Sequence, residues 1–190
     1  MSPTSLSSPA VKQRHTAEEY SRTPEGPPWM QLIDGEYYVA DSPLDPHQAV
    51  VVNLGHLLVS WARSTASGLI RCAPLDVYLS DYDVVQPDLL YLSKEKYVLR
   101  RNGRIFGPPD LVVEILSPST AALDLGPKRA LYARSLVPEM WAVDPDLRQV
   151  SVFRFSQDPD RPIAVLPGEQ KLSSPLLPRF SARILDLFEP

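Results

Sequence analysis

A single carboxylate interrupts the apolar run Leu111-Val-Val-Glu-Ile-Leu116, and a second one, Asp88, follows Pro87 inside another apolar stretch, Val84 to Leu92. An ionised carboxylate buried without a partner is costly, so Glu114 has to be paired, protonated or bound to a cation. If the two runs are neighbouring strands, their carboxylates come within a few ångströms. Like charges then repel by roughly 1–4 kcal/mol, depending on whether the dielectric resembles water or a protein surface. A divalent cation turns that repulsion into coordination. Mg2+, or Mn2+ in its place, suits such a pair because it takes hard oxygen ligands, accepts one or two carboxylates and keeps waters that can attack a phosphodiester. Lys128, which follows Pro127, is the candidate to steady the developing charge or orient that water. Each residue has a plainer reading: Asp88 as a turn or edge carboxylate, Glu114 as one half of an ion pair with Lys128 or Arg129. The conjunction of all three favours the metal site.

Around this trio stand weaker candidates. Asp124 supports Lys128 or caps the loop ahead of it, Tyr132 lies one turn further on and is equally a core residue, and His47 either faces the cleft or bonds locally at a helix start. Ser117 and Ser119 flank Pro118 in a turn, but no Gly-x-Ser-x-Gly elbow accompanies them, so a serine hydrolase is disfavoured. The sequence has neither a Gly-rich phosphate loop nor Cys/His metal spacing. Between the two carboxylate runs, Lys94, Lys96, Arg100, Arg101 and Arg104 face one acid, Glu95, and this local excess could grip phosphates or simply solvate a loop.

Positioning these residues requires strands and helices in alternation. Thr16-Ala-Glu-Glu19 has the pattern of a capping box and opens a short helix that ends before Pro24. Met30 to Ala40 reads as a β-hairpin turning at Asp34-Gly35. Asp45-Pro46-His47-Gln48 offers an N-cap, a proline and a capping-box glutamine to a helix whose stripe is Val50, Val51, Leu54, Leu57, Leu58 and Trp61 and which ends near Gly68. Ile70 to Leu79 and Val84 to Leu92 read as two strands joined at Ser80-Asp-Tyr-Asp83, and Asp110 to Leu116 as a strand buried on both faces. Pro127 is expected to start a helix through Arg134. Strands Met140–Val143 and Gln149–Phe155 follow, joined at Asp144-Pro-Asp146, and then a proline-punctuated tail wraps the edge and packs down at Ile184–Phe188. This order gives an α/β (α+β) fold with a mixed central β-sheet flanked by helices and an N-terminal β-hairpin.

The 190 residues suffice for one domain, here 16–190 after a flexible lead of 1–15. A net charge of −4 disfavours a nonspecific nucleic-acid coat protein, which would be strongly basic. With 21 prolines against 8 glycines, proline must punctuate the elements rather than fill them. The lone Cys72 rules out an internal disulfide and fits a reducing compartment, so with no signal-peptide core and no membrane-length apolar run the cytoplasm is the expected location.

Pro87-Asp88, Glu114-Ile-Leu-Ser-Pro-Ser119, Asp124, Lys128 and Tyr132 together resemble the Uma2 family, formerly a domain of unknown function (DUF820), of the PD-(D/E)XK restriction endonuclease-like superfamily. His15-Thr-Ala-Glu-Glu-Tyr20, Leu32-Ile-Asp-Gly-Glu36 and His47-Gln48 resemble its opening segments. Glu139-Met-Trp141 and Asp144-Pro145 are similar to a later strand, so the likeness spans 15–155 and, more weakly, the tail. The resemblance implies a restriction endonuclease-like core, Asp88, Glu114 and the Ile115 carbonyl as metal ligands, Lys128 as catalytic cation and Glu36 as an acid near the site. Two positions depart from it: Leu116 stands where the nuclease signature has lysine, and Gln31 where the family carries an earlier glutamate.

The expected activity is metal-dependent hydrolysis of DNA phosphodiester bonds. A homodimer would match the two-fold symmetry of a duplex cut on both strands. The rival readings are a non-catalytic nucleic-acid or protein-binding module on the same fold, and a hydrolase of some other phosphate ester.

Overall fold

The computed structural model describes residues 14–24, 26–39 and 44–189. Most of the expected lead lies outside them. Its last residues are tied down: the His15 amide donates to the Gly35 carbonyl at 2.8 Å, and the Arg14 guanidinium lies 4.3 Å from the centre of the Tyr82 ring.

Local signals place the first elements. Helix α1 (Ala17–Tyr20) carries the full reciprocal capping box between Thr16 and Glu19. Strands β1 (Met30–Ile33) and β2 (Glu36–Val39) form the hairpin, with Asp34 at φ 53° and Gly35 at φ 78°, the left-handed pair that a two-residue turn of this kind needs. The hairpin's expected last residue, Ala40, lies outside the described residues. Helix α2 (Asp45–Thr65) buries Val50, Leu54, Leu58 and Trp61. Its N-cap is Leu44, with no side-chain hydrogen bond, instead of Asp45; Asp45 sits inside the first turn, where its charge faces the positive end of the helix dipole.

The two long strands expected from Ile70 to Leu92 are four: β3 (Gly68–Cys72), β4 (Val77–Ser80), β5 (Asp83–Val85) and β6 (Leu89–Ser93). Pro74 and Pro87 stand at the breaks, where a residue without an N–H cannot continue a ladder. At each break the chain changes sheet. A 3-10 turn (Lys94–Leu99), β7 (Arg100–Arg101), β8 (Arg104–Phe106) and the fully buried β9 (Leu111–Ile115) follow.

After β9 the helix begins earlier than Pro127 suggests. Helix α3 (Ala121–Leu123), a π turn (Asp124–Lys128) and α4 (Arg129–Arg134) run without a break, and Pro127 lies inside the π turn. There the Arg129 amide reaches back to the Asp124 carbonyl, and the widened turn accommodates a residue that has no donor to offer. Strands β10 (Glu139–Asp144) and β11 (Gln149–Arg154) appear as expected, followed by β12 (Ala164–Pro167), β13 (Lys171–Leu172), β14 (Ala182–Arg183) and a 3-10 turn (Ile184–Leu187).

Instead of one central sheet there are two of six strands, ordered β2-β1-β5-β4-β8-β7 and β12-β11-β10-β9-β6-β3, with β13-β14 as a small third. In the second large sheet, β9 and β10 are parallel and β6 is antiparallel to β9. Side chains alternate across β9. Leu111, Val113 and Ile115 pack with α2 and the buried tail residues Leu172, Leu177, Ile184 and Leu187, whereas Val112 packs with Leu131 and Tyr132 of α4 and with Val77, Val85 and Ile105 of the other sheet. Glu114 shares the Val112 face and so points toward α4.

Asp83 ties the two layers together. Its carboxylate accepts from the Asp34 amide at 2.8 Å, from Ser80 Oγ at 2.6 Å and from Arg134 Nη2 at 3.0 Å. Asp83→Ala strands a backbone donor and the Arg134 guanidinium, and is expected to lower stability by about 1–3 kcal/mol in urea denaturation. An unchanged midpoint would mean that the hairpin is held by packing alone.

Candidate active site

The change of sheet at Pro87 decides where Asp88 goes. It stands one residue before β6, outside the strand expected to contain it, and the pairing of Leu89 with Val113, extended by one step, sets Asp88 beside Glu114. Asp88 Oδ2 accepts from the Ile115 amide at 2.7 Å and lies 3.2 Å from His47 Nε2, which the first turn of α2 supplies. Two short-range bonds thus fix this carboxylate while its side chain remains 19% exposed.

Glu114 is almost fully enclosed, and both of its oxygens have partners. Lys128 Nζ is 2.7 Å from Oε2, and the Tyr132 hydroxyl donates to Oε1. Lys128 also reaches Asp124 Oδ1 at 3.0 Å, one turn back along the helix. The π turn brings Asp124 and Lys128 inward together: both are buried, while Leu125 between them is exposed. The cluster therefore carries three carboxylates, Asp88, Glu114 and Asp124, against one buried ammonium.

Electrostatics follow from that count. Burial pushes the Glu114 carboxyl up to about 8; Lys128 pulls it down, and Asp124 and Asp88 push it up again. Burial works against the charge of Lys128, but Glu114, Asp124 and Asp88 outweigh it and hold the ammonium above its ordinary value. Burial and the neighbouring Glu114 raise the Tyr132 phenol well above its usual range. In the metal-free protein Lys128 is thus a fixed cation, and burial favours the protonated form of Glu114.

His47, Asp88, Glu114, Asp124 and Lys128 line a cavity of about 500 Å³ to which Gln31, Gln86, Ser117, Thr120 and Ile115 also contribute. Among the described residues no three side chains of His, Cys, Asp and Glu gather into a metal-holding cluster. Mg2+ does not require one, since it binds through one or two carboxylates and keeps several waters. The oxygen donors of Asp88 and Glu114 and the surplus negative charge around them fit such an ion.

The Uma2 family, described as "Putative restriction endonuclease", matches residues 17–187. The chain belongs to the Uma2 family. A crystal structure of a putative nuclease of DUF820 from Anabaena variabilis ATCC 29413 superposes with a TM-score of 0.77 at 22% identity, covering 91% of this chain and 97% of that one. The type IIG restriction endonuclease BpuSI matches at a TM-score of 0.38 and 15% identity, over 75% of this chain and 15% of its own. No curated protein matches. The likeness to the DUF820 structure shows that the two chains share a fold.

Of the candidate site residues, Asp88, Glu114, Ile115, Lys128, Asp124 and His47 line one cavity, and Tyr132 bonds Glu114 beside it. Glu36 does not join them: it lies on β2 opposite Ile33, away from the cavity wall. The hairpin residue that does face the cavity is Gln31, buried, with its Oε1 accepting from the Gln86 amide at 3.0 Å. Leu116, at the signature's lysine position, packs at the edge of the apolar cluster around Leu131, and the ammonium beside Glu114 is that of Lys128, from the helical segment.

The basic segment is absent from this wall. Lys96 is bound to Asp110 at 3.1 Å and Arg104 to Asp76 at 3.3 Å; Arg100 stands over Tyr97, and Arg101 is exposed beside it in β7. Lys94 is exposed as well, in the preceding 3-10 turn. Gln86 and Thr120 are cavity residues that the sequence reading did not single out; only the position of Gln86, two before Asp88, hints at its place.

Among the described residues no helix is long and apolar enough to cross a membrane.

Proposed function

We propose that this Uma2 protein is a Mg2+- or Mn2+-dependent endonuclease that hydrolyses DNA phosphodiester bonds. The observation that carries the reading is the meeting of Asp88, Glu114 and Lys128, drawn from separate segments, in one cavity. Asp88 and Glu114, with the Ile115 carbonyl, are the ligands for the ion. When bound, it supplies Lewis-acid stabilisation and a water of lowered pKa. The chain's own residues do the rest. The Ile115 amide and His47 orient Asp88, Tyr132 and Lys128 orient Glu114, and Lys128 presents fixed positive charge where negative charge grows on the phosphate. Asp124 holds Lys128 through a contact that does not depend on Glu114.

The test is incubation of supercoiled plasmid with the purified protein and Mg2+ or Mn2+. Nicked or linear product that EDTA abolishes is expected. A binding module without turnover is the second reading. It draws support from Gln31, whose oxygen is committed to Gln86, and from the engagement of both Glu114 oxygens within the protein. Calorimetric titration separates the two, because no uptake of Mg2+ or Mn2+ at millimolar concentration leaves only the module.

Phosphate grip by the basic segment belongs to the same reading. Arg100 and Arg101 on β7, like Lys94 in the preceding turn, have no acidic partner among the described residues. Arg100→Ala/Arg101→Ala is expected to reduce the slope of log affinity for DNA against log salt by about 2, as measured by fluorescence anisotropy. A slope equal to that of the wild type would make this segment a solvated loop.

A further inference from the structure

Beside the cavity that holds Asp88 and Glu114 lies a second, of about 380 Å³, and Trp29, Pro74 and Gln86 form a wall common to both. Gln86 precedes Asp88 by two residues, so their Cα atoms are within about 7 Å of each other. That is the scale of the step from a phosphate to the base of its own or the neighbouring nucleotide.

The second cavity has an ordered polar floor. Asp76 Oδ1 accepts from Gln86 Nε2 at 2.8 Å and lies 2.9 Å from the Tyr20 hydroxyl, while Oδ2 accepts from Arg104 Nε at 3.3 Å. Because Nε2 is committed to Asp76, the Gln86 amide has a defined orientation, and its Oε1 accepts nothing from the described residues. Asn102, in the turn between β7 and β8, adds a second side-chain amide with no hydrogen bond among the described residues. At the shared wall stands Trp29, 36% exposed. The network leaves the Gln86 amide oxygen open at the cavity, and Trp29 and Asn102, which lie outside the network, add an indole and a further amide to the same lining.

We infer that this second cavity takes one nucleobase of the strand being cut, unstacked from its neighbours, placed against Trp29 and read by Gln86, Asn102 and Asp76. The inference rests on the nuclease reading for its substrate. A base offers a π face to an aromatic side chain and an edge of mixed donors and acceptors to amides and a carboxylate. A base inside a duplex must first be extruded, and the cost is lowest where it is already mispaired or single-stranded. The protein therefore favours such positions over perfectly paired ones.

The test uses the full chain without divalent cations. Trp61 and Trp141 are buried, at 7% and 0% exposure, so quenching by a stacked base reports on Trp29. Titration with dAMP, dCMP, dGMP and dTMP in turn is expected to give saturable quenching with at least one of them, absent in Trp29→Leu and weakened about five- to ten-fold in Gln86→Ala. In anisotropy, a duplex with one mismatch is expected to bind about ten-fold tighter than its paired counterpart, and Trp29→Leu is expected to erase the difference. No quenching by any of the four nucleotides, quenching indifferent to Gln86→Ala, or equal affinity for the two duplexes overturns the base pocket whatever the cleavage assay gives. Saturable, Gln86-dependent quenching in a protein that never cleaves DNA sinks the nuclease reading and leaves the pocket standing.

Discussion

Lys128→Met is expected to lower the stability of the metal-free protein by about 3–5 kcal/mol, read as a fall in the urea midpoint at unchanged slope. The substitution keeps the length of the side chain and its apolar stem, so the loss does not come from a cavity. It comes from Asp124 and Glu114, which lie 3.0 Å and 2.7 Å from the ammonium and are buried with it. Without Lys128, both carboxyl groups lose the ammonium that compensates their burial. Lys128→Met/Asp124→Asn/Glu114→Gln removes the stranded carboxylates as well and is expected to recover most of the loss. Both variants are expected to be inactive in cleavage, because neither restores a cation beside the phosphate. Recovery of stability without recovery of activity therefore separates the two tasks of Lys128. A Lys128→Met protein as stable as the wild type would show that the ammonium is not the counter-ion of this cluster.

What could be read along the chain was local or chemically conspicuous. The capping box of α1 and the Asp34-Gly35 turn depend on residues within a few positions of each other, and both formed as expected. Glu114 was legible because ionised groups are excluded from apolar runs unless something compensates them. The division of the sheets was not legible. Val77 and Val85 look like continuations of the runs that end in β3 and begin β6, and only packing against Ile105 and Val112 assigns them to another layer. The two breaks that the sequence marks with Pro74 and Pro87 are where the chain passes between layers, which is why Asp88 ends at the mouth of a cavity and not in mid-strand. The start of the long helix was misplaced for a related reason. Pro127 is favourable in a first turn, yet it is equally tolerated in a π turn, and the turn's purpose, aiming Asp124 and Lys128 at Glu114, is a tertiary fact. The second cavity had no sequence signal, since Tyr20, the Asp76 and Gln86 ends of the β4–β5 hairpin, and Arg104 lie apart along the chain.

Glu114→Gln is expected to differ from Lys128→Met in stability but not in activity: it keeps the fold and abolishes metal-dependent cleavage, by about a thousand-fold or more, since a ligand contribution of several kcal/mol is lost. Asp88→Asn is expected to lose cleavage likewise, while its side-chain oxygen still accepts from the Ile115 amide. Glutamine imitates the protonated form that burial favours at position 114. Its carbonyl oxygen still receives the Tyr132 hydroxyl, and Lys128 remains paired with Asp124. The pH dependence gives a second readout. The folded carboxyl is raised to about 8, against 4.5 for an unperturbed glutamate, so between these values the folded chain holds a proton that the unfolded chain has released. This group's contribution to the stability of the metal-free protein is therefore full below the unfolded value and declines as pH rises toward the folded one, by up to about 1.4 kcal/mol per pH unit. Glutamine cannot titrate, so the difference in stability between Glu114→Gln and the wild type should grow across that interval and level off above it. A difference that stays flat with pH would put the retained proton on another member of the cluster. Cleavage that survives Glu114→Gln would remove Glu114 from the metal site and leave Asp88 as its anchor.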